Sequence, residues 1–561
     1  MANSSKSAEN VQEYKNLVHN LSHVQSGVSR RQFLGTAGAA TALAFVAGAE
    51  VASAVEVGPT NEQQRRNQAY QVRLQAALAA KNAPLANHAT NGDDDLYPNK
   101  IGSFSKALPH DALGEVNLDS YGRYIAALSS GRGADFDAIP MGSTGKLVNP
   151  QSAYAFEMMG ADSHHLSLRV PPALASAEET AEMAELYWQA LTRDVPFADF
   201  NTSGLIASAS ANLSAFSDFR GPKVGSSVTA DTLFRGNTPG DLTGPYLSQL
   251  LWKTVPYGLS AIEQRYRFAV PAIDFMTAYS EWLNIQNGAP PSQTTTLENT
   301  PRFMRSGRDL TEWVHRDFTY QAFLNAALIL LSFGPGALDK ANPYRTSSTQ
   351  SAFITFGGPE ILDLVARAAV CSLKAAWFQK WLLHRRLRPE AFAGLVHHTL
   401  TGSKSYPIHA ELLTGPGAQV LQAIFSANGS YLLPMAYPEG SPAHPAYPAG
   451  HACIAGACAT VLKWFFDESV LVPSPVVANS DGSALLPYSG ALTIGGELNK
   501  LASNIAIGRD TAGVHWRSDG IEGLNLGETV AISILQDMRA THTETNSGLS
   551  LMKFDGTQIV L

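Results

Sequence analysis

Apolar residues recur at three- and four-residue spacing in one long segment after another, and this periodicity limits the fold most. It predicts helices over Asn67–Lys81, Ala175–Thr192, Ala272–Ile285, Asp309–Ser332, Pro359–Arg386, Leu412–Asn428, Cys453–Phe466, Leu498–Ile507 and Leu524–Met538. Pro359–Arg386 is apolar nearly all round its first two turns, as expected of a buried helix. Strand signals are confined to Ala484–Tyr488 and Met552–Val560. The expected class is all-α: helical bundles, two four-helix-bundle-like cores, with few short strands. Stretches 82–149 and 220–240 read as loop-rich, and Asp93-Asp94-Asp95 reads as a solvated loop without calcium-loop spacing.

At 561 residues with 45% hydrophobic and 16% charged content, the chain has ample apolar surface for a large core. A net charge of −8 leaves no basic surplus to spread over phosphates, which argues against nucleic acid as a partner. The three cysteines, Cys371, Cys453 and Cys458, lack zinc-site spacing and read as buried thiols.

Near the N-terminus, Ser29-Arg30-Arg31-Gln32-Phe33-Leu34 precedes the small, apolar run Gly35–Ala49 and an Ala52-Ser53-Ala54 cleavage pattern. The apolar run is too short to span a bilayer. Residues 1–54 therefore read as a twin-arginine targeting segment, with export to the periplasm or outside the cell and no stable membrane insertion. Residues 55–561 read as a single all-α domain whose site segments fall within 310–520.

Three separated segments carry the chemistry. His444-Pro445-Ala446-Tyr447-Pro448-Ala449-Gly450-His451 opens a helix, so its first amides and the helix dipole converge on one anion site. Lys380 projects from a buried helix and Arg388 stands before Pro389, read here as the helix end. Arg509 and His515 lie six residues apart across a loop containing Gly513. Lys380, Arg388 and Arg509 with the Gly450 N–H suit a tetrahedral oxyanion of two or three charges. Two chemistries use such a cage: phosphate-ester hydrolysis through a phosphohistidine, and bound vanadate as a Lewis-acidic cofactor.

From Leu96 to Asp537 the chain resembles the vanadium-dependent haloperoxidases, closest to the algal and cyanobacterial bromoperoxidase type. The resemblance rests on Arg220-Gly221-Pro222-Lys223, Leu233-Phe234-Arg235-Gly236, Gly244-Pro245-Tyr246, and Trp313-Val314-His315-Arg316-Asp317 before Tyr320-Gln321-Ala322. The Lys380–Arg388 spacing of eight matches that type, whereas related acid phosphatases and fungal-type chloroperoxidases have seven.

The resemblance implies that Lys380, Arg388 and Arg509 bind vanadate oxygens, that Gly450 donates its N–H, and that His515 coordinates vanadium. It makes His451 the acid–base residue and Lys380 the group that polarises bound peroxide. It sets His444 where histidine favours bromide or iodide over chloride, lines the pocket with Trp377, and pairs Asp317 with Arg509. Implied partners are hydrogen peroxide, bromide or iodide, small organic acceptors and further copies of the chain. A structural divalent cation is a further expectation, without a location. Ala449 replaces the family's usual serine and removes a hydrogen bond to a charged partner, worth about 1.5–3 kcal/mol. The alternatives are a phosphatase with His515 as nucleophile and a non-catalytic oxyanion-binding protein.

Overall fold

A computed structural model of the chain describes residues 61–561. The twin-arginine pattern, its apolar run and the cleavage pattern lie outside the described residues. Eight helices position the site: α1 (Ala177–Thr192), α2 (Gly307–Arg316), α3 (Gln321–Leu331), α4 (Gly358–Phe378), α5 (Pro389–Thr401), α6 (Gly450–Phe465), α7 (Ile494–Thr511) and α8 (Arg517–Arg539).

Helix α6 is the axis of the first core. Every residue in it except His451 is buried, because α4, α7 and α8 all pack against it. Its contact with α8 depends on glycine. A Cβ at Gly527 would stand 2.1 Å from the Cys453 carbonyl oxygen, and one at Gly456 would stand 2.2 Å from that of Leu524. The two helix backbones therefore touch directly, which brings the start of α8 beside the start of α6. The second core gathers around α1 and α5 with helices Gly204–Ser214 and Gly417–Asn428. A small third cluster holds Phe104, Tyr121, Tyr124 and Trp381. The described residues are mainly helical, and the named strands form three two-stranded antiparallel pairs, Val255–Tyr257 with Ser260–Ile262, Val476–Ala478 with Leu485–Pro487, and Ser550–Met552 with Gln558–Val560. The all-α expectation holds.

Several boundaries differ from the sequence expectation for identifiable reasons. The single helix expected over Asp309–Ser332 is two, α2 and α3, because Asp317 adopts an extended conformation (φ −63°, ψ 148°) at the α2 C-cap. Pro389 opens α5 at a helix N-terminus, where a missing N–H costs nothing, rather than ending the previous helix. That previous helix ends in a π-helical stretch, Gln379–His384, followed by Arg385 in the left-handed region (φ 40°). Of the helix expected over Ala272–Ile285, only Tyr279–Gln286 forms. Within the loop-rich stretch before residue 149, Leu118–Ser130 is a helix capped by Asn117. The three aspartates start a short helical turn, with Asp93 buried and Asp94 paired to Arg385 at 2.8 Å, so they are not a solvated loop. All three cysteines are buried and free.

Candidate active site

The three segments meet in a cleft of about 330 Å³ where the two main cores join. Asp317, Trp377, His444, Gly450, His451, Arg509 and His515 line it. Lys380, Arg388 and Ala449 are buried directly behind that lining.

The π-helical stretch carries Lys380 inward, where its Nζ donates to the carbonyls of Pro445 (2.8 Å) and Ala446 (2.7 Å). The extended residue Arg388 donates from Nε to the His444 carbonyl (2.9 Å) and from Nη1 to that of Val514 (2.6 Å). Arg509, in the last turn of α7, donates from Nη1 to Val314 O (3.0 Å) and to the Tyr437 hydroxyl (3.2 Å). Its Nε is buried with no protein partner. Among the described residues, no carboxylate lies within ion-pair distance of any of these three cations. Three buried cations without a counter-anion are costly, and burial, followed by the charge of a neighbouring Arg388, pushes the Lys380 ammonium well below its ordinary pKa. Burial lowers Arg388 to about 9, with Arg509 adding to that direction.

His515 follows α7 and sits one residue before the Trp516 cap of α8. Its Nδ1 lies 2.8 Å from Asp519 Oδ2. That carboxylate also accepts from the Trp516 N–H (3.2 Å) and from Arg386 Nη1 (2.7 Å), so it acts as an acceptor and Nδ1 carries the hydrogen. The lone pair of the ring is thereby left on Nε2, which is 3.1 Å from Arg388 Nη1. Burial and the Arg388 charge depress the His515 pKa well below its usual value, which keeps the ring neutral at pH 7. Burial and Arg388 do the same to His444, whose Nδ1 is 3.0 Å from Arg388 Nη2. The His444 ring stands 4.9 Å from the Trp377 indole, and the Lys380 ammonium lies 5.9 Å from the same indole.

Gly450 is the first residue of α6, so its N–H has no intrahelical acceptor. Ala449 is the N-cap, and its methyl offers no capping hydrogen bond. His451, one residue on, directs Nε2 to Asp317 Oδ1 at 3.1 Å.

This last contact corrects one expectation. Asp317 pairs with His451, not with Arg509, because the break after α2 swings its carboxylate across the cleft toward the first turn of α6. Arg509 is held instead by Val314 O and Tyr437. Five residues that hold or line the site escaped the sequence expectation: Asp519, Arg386, Tyr437, His315 and Glu439. The i, i+4 relation of His515 to Asp519 was the available signal for the first of them. Nothing local marks Tyr437 or Glu439, which stand in a Pro-rich loop. Among the described residues no group of three or more His, Cys, Asp or Glu is placed to hold a metal ion.

The family model for the VCPO second helical-bundle domain matches residues 364–544. The vanadium-dependent bromoperoxidase of Ascophyllum nodosum is 35% identical over 516 residues, covering 87% of this chain and 91% of that protein. That of Corallina pilulifera is 35% identical over 592 residues, covering 89% and 99%. The homohexameric second vanadate-dependent bromoperoxidase from Ascophyllum nodosum superposes with a TM-score of 0.86 at 32% identity, covering 96% of this chain and 95% of that one. Shared sequence over nearly the whole length of these enzymes, on the same helical framework, places this chain in the vanadium-dependent bromoperoxidase family.

Proposed function

We propose that the chain is a vanadate-dependent haloperoxidase that oxidises bromide or iodide with hydrogen peroxide and releases hypohalous acid to small organic acceptors. The observation that carries this reading is the unbalanced cage: three buried cations without a carboxylate, facing a neutral histidine whose free lone pair is set by Asp519. A tetrahedral oxyanion satisfies that arrangement, and the orphaned Arg509 Nε supplies a further donor.

Lys380, Arg388, Arg509 and the Gly450 N–H would hold the oxygens of vanadate, and His515 Nε2 would bond its metal. When bound, vanadate supplies a Lewis-acidic centre that activates peroxide toward halide without changing oxidation state. The remaining work falls to protein groups. Asp317 orients His451, which exchanges a proton at the cleft side of the cage. Lys380, fixed in place by two carbonyls, would donate to a bound anion, whose charge would offset the burial that disfavours the ammonium, without reorganisation. His444 and Trp377 form the wall past which halide approaches. Halogenation of a phenol-red-type dye by the purified protein, measured with chloride, bromide and iodide in turn, tests the reading. The expected result is turnover with bromide and iodide only, dependent on added vanadate. Ester hydrolysis inhibited by vanadate, without halogenation, would establish the phosphatase instead.

Ala449→Ser sharpens the same reading. A serine there can cap α6, for about 0.5–2 kcal/mol of stability, and can donate to a bound oxyanion. The expected outcome is a raised denaturation midpoint and vanadate binding about tenfold tighter or better, from one added hydrogen bond to a charged group. A serine variant with unchanged vanadate affinity, read by equilibrium dialysis, would place the residue-449 side chain away from the bound anion.

Two further features of the chain belong to this proposal. The N-terminal twin-arginine pattern supports export of the folded protein, and replacing Arg30 and Arg31 with lysine is expected to leave the protein in the cytoplasmic fraction. Unchanged export of that variant would remove this element. The homohexameric relative supports a homo-oligomer. Among the described residues no helix is long and apolar enough to cross a membrane.

A further inference from the structure

A buried ion pair stands behind one wall of the cleft and takes no part in the reading above. That wall comes from the Pro-rich loop before α6, whose Glu439, Gly440, Pro442 and His444 line the cleft. Lys106 reaches the back of this loop from a segment more than 300 residues away. Its Nζ donates to the carbonyls of Glu439 (2.8 Å) and Ser441 (2.6 Å) and to Glu390 Oε1 (2.7 Å). Glu390, in the first turn of α5, has a fully buried side chain that also accepts from the Ser441 N–H (2.6 Å) and from Gln286 Nε2 (3.0 Å). Gly440 sits between these contacts with φ 65°, and a Cβ there would stand 2.3 Å from Glu390 Oε2. The carboxylate therefore lies directly behind a residue that lines the cleft.

We propose that Lys106 and Glu390 are a positioning pair for halide: together they fix the loop that forms this wall, and Lys106 cancels a carboxylate charge that would otherwise repel an anion passing it. The inference rests on the functional reading above, in which bromide or iodide approaches along His444 and Trp377. The two co-substrates of that reaction differ in charge, since hydrogen peroxide is neutral and halide is an anion. An unopposed charge buried behind the wall therefore acts on one and not on the other, and burial removes the water that would screen it.

The groups around the pair fit this role. Burial pushes the Lys106 ammonium below its ordinary pKa, and the Glu390 carboxylate opposes that fall. Arg388, two residues before Glu390, is already engaged by the His444 and Val514 carbonyls, so Lys106 is the cation that meets Glu390 within ion-pair distance. The Glu439 carboxylate also faces the cleft, but it is 45% exposed and lies 2.6 Å from His315 Nε2, so water and that ring screen it. The loop is tied independently toward its two ends, by Met435 N–H to Phe275 O (2.9 Å) and by Ala446 N–H to Arg386 O (3.0 Å). Loss of the pair is thereby confined to the middle of the loop, away from the Pro445 and Ala446 carbonyls that hold Lys380.

The test uses Lys106→Met and Glu390→Gln in the vanadate-loaded protein, with the metal-free protein as a separate arm. Lys106→Met leaves Glu390 unopposed and is expected to raise the bromide KM at least about fivefold, with the peroxide KM and kcat within about twofold of the parent. Glu390→Gln keeps an acceptor for the Ser441 N–H and removes the negative charge, so its bromide KM should stay within about twofold of the parent. Two near-isosteric changes at one buried pair thus part in a quantity that lost packing would move alike. In the metal-free protein, hydrogen exchange read by mass spectrometry should be about tenfold faster over residues 437–444 in Lys106→Met and unchanged in α6 and α8. Should that variant not fold, Gly440→Ala pushes the loop off the pair and is expected to show the same fast exchange and a raised bromide KM. A bromide KM raised equally in the Lys106 and Glu390 variants, equal effects on bromide and peroxide, or unchanged loop exchange overturns the pair's role while leaving the haloperoxidase reading intact. A parent protein that never halogenates overturns both.

Discussion

His515→Ala is expected to abolish vanadate-dependent halogenation and to weaken vanadate binding by at least about a hundredfold, while the helical framework stays folded. Donor type decides the effect. Lys380, Arg388, Arg509 and the Gly450 N–H all meet an anion through hydrogens, so any tetrahedral oxyanion of similar charge satisfies them equally. His515 alone offers a lone pair, fixed on Nε2 by the 2.8 Å contact of Nδ1 with Asp519. It is therefore the residue that distinguishes an anion whose centre accepts a nitrogen donor from one that does not. The alanine variant should bind vanadate and phosphate with similar affinity, whereas the parent prefers vanadate. Asp519→Asn, which weakens the orientation but keeps the ring, should cost about ten- to a hundredfold in vanadate affinity. Equilibrium dialysis against both anions reads these differences, and a His515→Ala protein that still prefers vanadate tenfold or more would remove His515 from the metal.

Arg386→Met carries the second large effect, this time on stability. Arg386 is buried among three carboxylates: it meets Asp519 at 2.7 Å, Glu182 at 3.1 Å, and Glu179. Burial raises the pKa of Glu179 and Glu182, and Arg386 works against that rise. Removing the guanidinium leaves the acids buried without a cation, which costs about 3–5 kcal/mol. The sign with pH follows. Carboxyls raised above their unfolded values favour the folded state at low pH and lose that contribution as pH rises. Without Arg386 they rise further, so the penalty should be small at pH 5 and grow toward pH 8. Urea denaturation at both pH values checks this, and a penalty below about 1 kcal/mol at pH 8 would show the network to be dispensable. Vanadate affinity should fall as well, because Asp519 then holds His515 without its own anchor.

The helical class was legible because amphipathic spacing survives in nearly every long segment, and α6, α7 and α8 occur where the periodicity put them, although longer. Breaks were less legible. Nothing in residues 309–332 interrupts the apolar pattern, yet the chain leaves the helix at Asp317, and that departure delivers the carboxylate to His451. Pro389 shows the same ambiguity in reverse, since a proline both forbids continuation and favours a first turn. In the site, residue types and spacing singled out the cations and histidines, because buried charge has few uses. Pairings were not legible. Whether Asp317 reaches Arg509 or His451 depends on how α2 is rotated against α6 and α7, and that rotation is set by packing such as Val314 and Leu310 against Gly508. Arg386, which holds the site from behind, finds the hydrogen-bond partners of its guanidinium more than 130 residues away, Asp519 among them, whereas Asp519 stands only four residues from the His515 it orients.

The central claim is that the uncompensated cage and His515 form a single vanadate site that drives halogenation. Titrating the metal-free protein with vanadate, while following bromination of a dye at fixed peroxide and bromide, tests it most directly. The account predicts that activity rises from zero and saturates at one vanadate per chain, and that phosphate competes. Halogenation independent of vanadate, or saturating vanadate binding with no halogenation in either the parent or Ala449→Ser, would contradict it.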